Sequence, residues 1–233
     1  MSTPSTRNPH TFVLIPGADG RAWYWHLLVG ELERLGHEAI AVDLPKQASA
    51  GLADYTNAVL RAVGRCTEVI MVAQSLGAFV GPIACEQLSV SQLVLLNPMV
   101  PAPAEIANEW WDNTGQDEAR VAAAEAGGWP AEFELVSGFF HDVSPELTEQ
   151  AFSADDQPAQ LDTVFTEPWP LDHWPDVRTR FLQGHDDRFF PLEFQRQIAR
   201  ERLGMTDVDV MPGGHLLALS QPAELAARLV SYL

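Results

Sequence analysis

Six short apolar segments, separated by longer stretches, most constrain what this chain can fold into. Each is four or five residues long and is rich in aliphatic and β-branched side chains. They cover residues 11–15, 38–42, 69–73, 93–96, 180–183 and 208–211. Apolar runs of this length that alternate with amphipathic stretches are typical of βα units feeding a parallel sheet. The sequence therefore predicts an α/β fold with a mostly parallel sheet of about six strands and flanking helices.

The intervening stretches supply the predicted helices. Their apolar residues recur at helical spacing over residues 23–35, 54–63, 76–87, 192–203 and 223–233. Pro222 suits the first turn of the last helix, because proline lacks the N–H that a helix start leaves unpaired. Asp54 is expected as an N-cap, since a short carboxylate accepts hydrogen bonds from the first free N–H groups.

The alternation of strand and helix is interrupted once, between residues 101 and 175. This segment holds eight of the 17 prolines and five of the seven tryptophans. We interpret it as a helical cap inserted after the fourth predicted strand. No internal repeat, low-complexity tract or linker divides the chain. A single domain over residues 1–233, with a cap at about 101–175, is therefore expected.

Charge and hydropathy exclude several classes of partner. The formal net charge of −18 opposes binding to nucleic acid or to anionic membrane surfaces, which requires clustered Lys and Arg. The first ten residues lack the apolar stretch of a secretory signal. No apolar run reaches the roughly 18 residues needed to span a bilayer. We expect a cytoplasmic protein that binds a small molecule; the sequence leaves its oligomeric state open.

The strongest local motif is Ala-Gln-Ser-Leu-Gly at residues 73–77, between a predicted strand and a predicted helix. A sharp strand-to-helix turn of this kind, called a nucleophile elbow, exposes a serine hydroxyl above the sheet edge. Small residues two before and two after the serine allow strand and helix to approach closely. Such strings also occur by chance in loops, so the prediction of Ser75 as nucleophile depends on the context and on partners in the chain order serine, acid, histidine.

Candidate partners follow the last two predicted strands. Gly184-His185-Asp186-Asp187 precedes Pro191, and the hydrolase pattern after this strand has the acid three residues past glycine and four before proline. That spacing selects Asp187 over Asp186, although both aspartates are also compatible with a solvated turn. Gly213 and Gly214 permit a tight loop that presents His215, the candidate general base.

The six remaining histidines compete with His215 for this role. Lone histidines are more often surface or structural residues, and five are interpreted in that way: His10, His26, His37, His173 and His185. His141, beside Asp142 in the predicted cap, remains the one rival.

An oxyanion hole requires two backbone N–H groups, one after the nucleophile and one in the loop after the first strand. These groups belong to Leu76 and Ala18. Residues 16–20 contain Gly-x-x-Gly, which differs from the Gly-x-Gly-x-x-Gly of a dinucleotide site, so no cofactor is expected and no metal site is predicted.

The substrate pocket is expected between sheet and cap. Its predicted lining includes Gly17 and Gln74 beside the motifs, and Trp110 and Trp129 from the cap. Aromatic walls suit compact, uncharged substrates. The competing interpretation is that most cap tryptophans form the core of the cap itself.

With these motifs in view, the chain resembles the α/β-hydrolase superfamily, and within it the plant methylesterase and hydroxynitrile lyase branch with its bacterial relatives. The likeness is carried by residues 17–25 and 41–45, by residues 193–196 after the acid loop, and by residues 215–222. It implies the α/β-hydrolase fold and a Ser75-His215-Asp187 triad. Three residues depart from the branch: Pro16 and Gln74 stand where histidine is common, and Ala73 stands where glycine is usual.

The resemblance also separates two reaction types. The lyases of this branch carry threonine at the position of Ala18 and lysine at the position of Leu216, whose charge stabilises departing cyanide. Both residues are apolar here. We therefore predict a serine hydrolase, a carboxylesterase that cleaves small uncharged esters through an acyl-enzyme. The alternatives are a cofactor-free lyase of the hydroxynitrile lyase type and a non-catalytic small-molecule receptor.

Overall fold

A computed structural model describes residues 9–152 and 161–233 of the chain. In these residues six strands form one sheet in the order β2-β1-β3-β4-β5-β6, and every neighbouring pair is parallel. The strands are β1 Thr11–Ile15, β2 Glu38–Ala41, β3 Val69–Gln74, β4 Val90–Leu96, β5 Thr179–Gly184 and β6 Asp209–Met211. The predicted α/β fold with six strands is confirmed, and only β4 begins more than one residue from its predicted start.

The described helices flank the sheet or follow β4. A short 3₁₀ helix covers Ala22–Trp25. The α-helices are α1 His26–Arg34, α2 Leu52–Val63, α3 Gly77–Cys85, α4 Trp110–Thr114, α5 Gln116–Gly127, α6 Leu135–Phe139, α7 Pro145–Ala151, α8 Leu192–Leu203, α9 Leu217–Ser220 and α10 Pro222–Val230. The predicted helix over 23–35 is thus split into a 3₁₀ turn and α1.

The apolar residues of β1 explain why helices cover both faces of the sheet. Val13 and Ile15 point into a core shared with α2, α3 and α8. Phe12 and Leu14 point the other way, into a core shared with α1, α9 and α10. Successive side chains of a strand face opposite sides, so a strand that is apolar throughout requires cover on both.

The start of α2 corrects one expectation. Its N-cap is Gly51, not Asp54. Asp54 lies three residues later, and its carboxylate accepts a hydrogen bond from the Gly51 N–H at 3.1 Å. The aspartate therefore stabilises the first turn from inside the helix, because its side chain can reach back to the N-cap backbone.

Helices α4 to α7 all lie in the inserted segment, residues 101–175, between β4 and β5. A buried ion pair ties this segment to α8. Arg202 donates to both carboxylate oxygens of Glu105, with 2.8 Å between Nη2 and Oε1. The N–H of Ala102 and the amide of Asn113 also donate to this carboxylate. Burial raises the pKa of Glu105, but these hydrogen bonds and the Arg202 charge outweigh it and lower the pKa below its usual value.

The strand order fixes where a ligand can bind. From β1 the chain passes to β2 on one side and then to β3 on the other, which makes the carboxyl ends of β1 and β3 the topological switch point. Open parallel sheets bind ligands in the crevice at this point. Within the described residues, no helix is long and apolar enough to cross a membrane.

Candidate active site

Ser75 lies directly after β3, at the switch point. Its backbone has φ of +51°, in the left-handed region that non-glycine residues rarely adopt. The Ser75 N–H donates to the Leu96 carbonyl at 3.1 Å, and the Ser75 carbonyl accepts from the Met99 N–H at 3.0 Å. Both bonds anchor the turn to the end of β4. The strained conformation is therefore held by its surroundings, as is common where a side chain must be presented to a ligand.

Two glycines bring the loop after β1 against this turn. A Cβ atom on Gly77 would lie 2.8 Å from the Pro16 carbonyl oxygen, and one on Gly17 would lie 2.9 Å from the Ser75 Cβ. Side chains do not tolerate such distances. The Gly17 backbone therefore approaches Ser75 closely because neither Gly17 nor Gly77 has a side chain.

The departure at Ala73 has a structural explanation. A Cβ on Gly81, in α3, would lie 3.0 Å from the Ala73 Cβ. In the usual pattern a glycine in the strand makes room for the helix. Here the strand has the methyl group of Ala73, and Gly81 in the helix makes the room instead. β3 and α3 therefore still pack closely.

Asp187 is buried in the loop after β5, where both of its oxygens have partners. Oδ1 accepts hydrogen bonds from the N–H groups of Phe189 and Phe190 at 2.8 and 3.0 Å. Oδ2 lies 2.8 Å from Nδ1 of His215. Gln183, in β5, donates to the same oxygen at 3.4 Å. These donors hold the carboxylate in one orientation toward the imidazole.

His215 is 2% exposed, and the rings of Phe139, Phe189 and Phe190 lie 5.0 to 5.4 Å from its own ring. A carboxylate only accepts, so Nδ1 carries the hydrogen and Nε2 of the neutral ring carries a lone pair. Nε2 lies 3.1 Å from the amide nitrogen of Gln74. In the described parts of the chain, no hydrogen bond joins the imidazole to Ser75 Oγ. The ring is thus oriented by Asp187 with its lone pair directed at Gln74.

Within the part of the chain that the structure describes, Asp186, Asp142 and His141, the alternative candidates for acid and base, make no hydrogen bond to the His215 ring. Asp186 pairs with His185 at 2.7 Å and accepts from the Gly213 N–H at 3.2 Å. Burial opposes ionisation, but these two bonds dominate and lower the pKa of Asp186. Asp142 accepts from the Gly214 N–H at 2.6 Å. Asp142 and His141 therefore lie against the backbone that precedes His215, not against its ring.

Asn97, which the sequence analysis did not single out, links the acid and base loops. It follows β4, is fully buried and has φ of +43°. Its amide nitrogen donates to the carbonyl oxygens of Gly214 and His215 at 3.1 and 3.0 Å, while its oxygen accepts from the Gly184 N–H at 2.7 Å. The sequence did hold a signal for it: Asn97 is a polar residue directly after an apolar strand, at the same carboxyl edge of the sheet as the other motifs. One side chain therefore fixes both loops to the sheet.

The N–H groups of Ala18 and Leu76 lie in the loop after β1 and directly after Ser75. Among the described residues, neither donates to a protein acceptor. Buried N–H groups are rarely left without an acceptor, and those that remain free suit a ligand oxygen. Both N–H groups are therefore available to a ligand oxygen beside Ser75.

A cavity of about 490 Å³ opens above Ser75. The loops of the sheet contribute Pro16, Gly17, Ala18, Asp19, Arg21, Trp23, Tyr24, Gln74, Ser75, His215, Leu216 and Leu219. The inserted segment contributes Leu135, Phe139, Phe140, Ala151, Phe152 and Leu161. Gly17 and Gln74 lie in the cavity wall. Its surface is mostly apolar, which suits an uncharged ligand.

The tryptophan predictions were wrong. Trp110 is fully buried, packs 5.3 Å from the ring of Phe190 and donates its indole N–H to the Val100 carbonyl at 2.8 Å. Trp129 lies under the Arg188 guanidinium at 5.0 Å, beside a separate small crevice. None of the tryptophans of the inserted segment lines the cavity, whose indole belongs to Trp23 instead. The clustered tryptophans serve packing, because the short helices need large side chains to bury enough surface.

Arg21 and Tyr24, two polar residues of the cavity wall, were not identified from the sequence. Nε of Arg21 donates to both carboxylate oxygens of Asp19 at 2.8 and 2.9 Å, and its Nη2 donates to the Ala151 carbonyl at 2.9 Å. It thereby joins the loop after β1 to the end of α7. Tyr24 accepts from the Ala218 N–H at 3.4 Å. Burial raises the pKa of this phenol despite that bond, and the charges of Asp187 and Asp142 add to the rise, so Tyr24 stays neutral.

The sequence model of the alpha/beta hydrolase family matches residues 12–228, nearly the whole described fold. The chain belongs to the alpha/beta hydrolase family. Its resemblance to the branch of plant methylesterases and hydroxynitrile lyases, noted from the motifs, is also confirmed by the relatives described next. These relatives differ in the activities that their names describe.

Norfluorocurarine synthase 2 of Strychnos nux-vomica is 25% identical, with 97% of this chain and 96% of that protein covered. Methylesterase 7 of Arabidopsis thaliana is 23% identical, with 96% of each chain covered. The alpha-hydroxynitrile lyase of the same plant is 28% identical over 93% of this chain and 94% of its own. Among solved structures, polyneuridine aldehyde esterase superposes with a TM-score of 0.76 at 20% identity, covering 97% of this chain and 99% of its own. Such family members share a fold while their reactions differ.

Proposed function

We propose that this protein is a serine carboxylesterase that hydrolyses small uncharged esters. One observation carries the proposal: the imidazole of His215, oriented by the buried Asp187 at 2.8 Å, lines the same cavity as Ser75 on its strained turn. Nucleophile, base and orienting acid are the three groups that acyl transfer through serine requires. Relatives named as esterases support this reaction class.

The proposed acylation step uses these groups in order. Nε2 of His215 takes the hydroxyl proton of Ser75 as Oγ bonds to the ester carbonyl carbon. The N–H groups of Ala18 and Leu76 stabilise the negative oxygen of the tetrahedral intermediate. The bond to the alcohol oxygen then breaks, and the imidazolium returns its proton to that oxygen. Asp187 stabilises the imidazolium without becoming protonated.

Deacylation repeats the sequence with water. His215 takes a proton from the water as its oxygen bonds to the acyl carbon, and then protonates Ser75 Oγ as the acyl-serine bond breaks. One ester and one water give one carboxylic acid and one alcohol. No external cofactor enters either step.

The cavity and the charge of the chain support the substrate class. The apolar wall from Phe139, Phe140 and Phe152 favours compact apolar or aromatic groups. The net charge of −18 disfavours anionic substrates. The proposal includes a single domain in which the inserted segment acts as a cap, and a cytoplasmic location, both of which rest on the sequence.

The relative named as a hydroxynitrile lyase makes lyase activity the second candidate. A positive charge near the departing cyanide stabilises it during cleavage of a cyanohydrin, and the resemblance assigns this role to a lysine in the lyases. In this chain the cavity residue at the corresponding position is Leu216, and Ala18 provides no hydroxyl. A backbone oxyanion hole serves ester cleavage without either side chain, so the esterase is favoured.

Turnover by the purified protein tests the proposal. Wild type and Ser75→Ala are assayed with neutral acetate and benzoate esters and, in parallel, with a cyanohydrin. We expect ester hydrolysis that falls by several orders of magnitude in Ser75→Ala, because the activated nucleophile is removed while the fold remains. Cyanohydrin cleavage without ester hydrolysis would favour the lyase, and saturable binding without turnover would favour a receptor.

A further inference from the structure

The side chain of Gln74 lies where the proposed mechanism needs Ser75. Its amide nitrogen lies 3.1 Å from Nε2 of His215 and 3.5 Å from the carbonyl oxygen of the same residue. Because Nδ1–H donates to Asp187, Nε2 is an acceptor, so the Gln74 amide meets it with an N–H group and not with its oxygen. The lone pair that must receive the Ser75 proton is thus occupied in the ligand-free protein.

The Gln74 side chain has little freedom to reach another protein acceptor. It is 3% exposed, and its Oε1 lies against Gly17, where a Cβ would be only 2.5 Å away. For Ser75 to reach Nε2, the Gln74 amide must give up its bond to the imidazole. A buried N–H group that loses its acceptor costs free energy unless a replacement is provided. The cavity that Gln74 lines is where a substrate can provide it.

The direction of proton transfer identifies which part of the substrate meets this amide. During acylation Nε2 of His215 delivers its proton to the alcohol oxygen of the ester, so the alcohol part lies next to Nε2. The Gln74 amide, 3.1 Å from that nitrogen, therefore faces the alcohol part. In a 2-alkoxyethyl ester the second oxygen is two carbons from the leaving oxygen, within reach of the same amide.

We propose that Gln74 holds Nε2 of His215 in the ligand-free protein and selects esters whose alcohol part carries a second hydrogen-bond acceptor. Such a substrate takes over the amide hydrogen and frees the imidazole for Ser75. An ester of a plain hydrocarbon alcohol leaves this one amide hydrogen without an acceptor, while the other still points to the His215 carbonyl oxygen, and it reacts more slowly. The inference rests on the proposed esterase function and names the alcohol that this site favours.

Two esters of almost equal size test the proposal: 2-methoxyethyl acetate, which has the second oxygen, and butyl acetate, which has a methylene in its place. The kcat/KM ratio of the first to the second is measured in wild type, Gln74→Leu and Gln74→Met. We expect the ratio to fall about fivefold to tenfold in both variants, the effect of one neutral hydrogen bond. Butyl acetate itself should react faster in the variants, because no amide competes for Nε2.

The two variants differ in shape but both lack the donor, so agreement between them separates hydrogen bonding from packing. In wild type alone, the ratio should also exceed that of alkaline hydrolysis of the same two esters. Ser75-dependent hydrolysis with the same ratio in all three proteins, or with a wild-type ratio equal to the alkaline one, overturns the role of Gln74 and leaves the esterase intact. Absence of Ser75-dependent hydrolysis of both esters refutes the proposed function as well.

Discussion

The carboxylate of Asp187 lies 2.8 Å from Nδ1 of His215, whereas the adjacent Asp186 pairs with His185. Asp187→Asn should therefore lower kcat for ester hydrolysis by about 10³-fold to 10⁴-fold, because the amide favours the wrong imidazole tautomer and cannot stabilise the imidazolium. Asp186→Asn is the matched control one residue away and should have a mild effect. Steady-state kinetics of both variants decide the matter. Greater damage from Asp186→Asn would overturn the assignment of the acid.

Asn97 provides a separate test of loop positioning. In Asn97→Asp the side-chain oxygen still accepts from Gly184, but the donor to the carbonyl oxygens of Gly214 and His215 is lost. We expect kcat to fall more than about tenfold while KM changes little, because the imidazole is less firmly placed during proton transfer. An unchanged kcat in a folded variant would show that the His215 loop is held without Asn97.

Two aromatic residues of the inserted segment should have different roles, one in stability and the other in substrate recognition. Trp110→Ala should lower the free energy of unfolding by about 3 to 5 kcal/mol, the usual cost of removing a fully buried large aromatic side chain. Phe152, half exposed in the cavity wall, should behave oppositely: Phe152→Ala should raise KM for aromatic esters with little change in stability. Urea denaturation and steady-state kinetics of both variants test the distinction. Trp110→Leu, a milder change, is measured as well. If it alters KM while the free energy of unfolding is unchanged, the packing role of Trp110 is wrong.

The Glu105–Arg202 pair predicts a pH dependence of stability. The pKa of Glu105 is lowered in the folded protein, so its contribution is present above the unfolded carboxyl pKa of about 4.3 and is lost as the pH falls through the folded value. At pH 7, Glu105→Gln should cost about 2 to 3 kcal/mol. The difference from wild type should shrink as the pH is lowered below about 4.

Thermal unfolding over this pH range checks the prediction. Glu193→Gln removes an exposed ion pair with Arg196 and serves as the control, with little effect at any pH. A Glu105→Gln difference that is constant from acid to neutral pH would contradict the assigned role of the carboxylate charge.

The strands and motifs were predictable because their signals are local. Apolar runs fix β1 and β3, and the spacing between Gly184 and Pro191 selected the aspartate that lies against His215. The contact between Gln74 and His215 joins residues 141 positions apart. Its existence depends on the orientation of a side chain at the end of β3 and of another in the loop after β6, which neither periodicity nor spacing encodes.

The tryptophans illustrate a different limit. Their concentration in residues 101–175 indicated a compact segment, but concentration does not determine which side of a ring faces the cavity. Trp110 faces the acid loop because Phe190 and Phe194 offer it an apolar surface there. The aromatic residues of the inserted segment that line the cavity are phenylalanines, and no sequence feature distinguished them from the buried tryptophans.

The most direct test of the central claim is covalent labelling of the active protein with a fluorophosphonate, followed by mass spectrometry of the intact chain and its peptides. The account predicts one phosphonyl group per chain, on the peptide that contains Ser75, with loss of ester hydrolysis in proportion to labelling. Labelling should be absent in Ser75→Ala and much slower in His215→Ala. Proportional loss of activity with the label on another residue, or full ester turnover by Ser75→Ala, would contradict it.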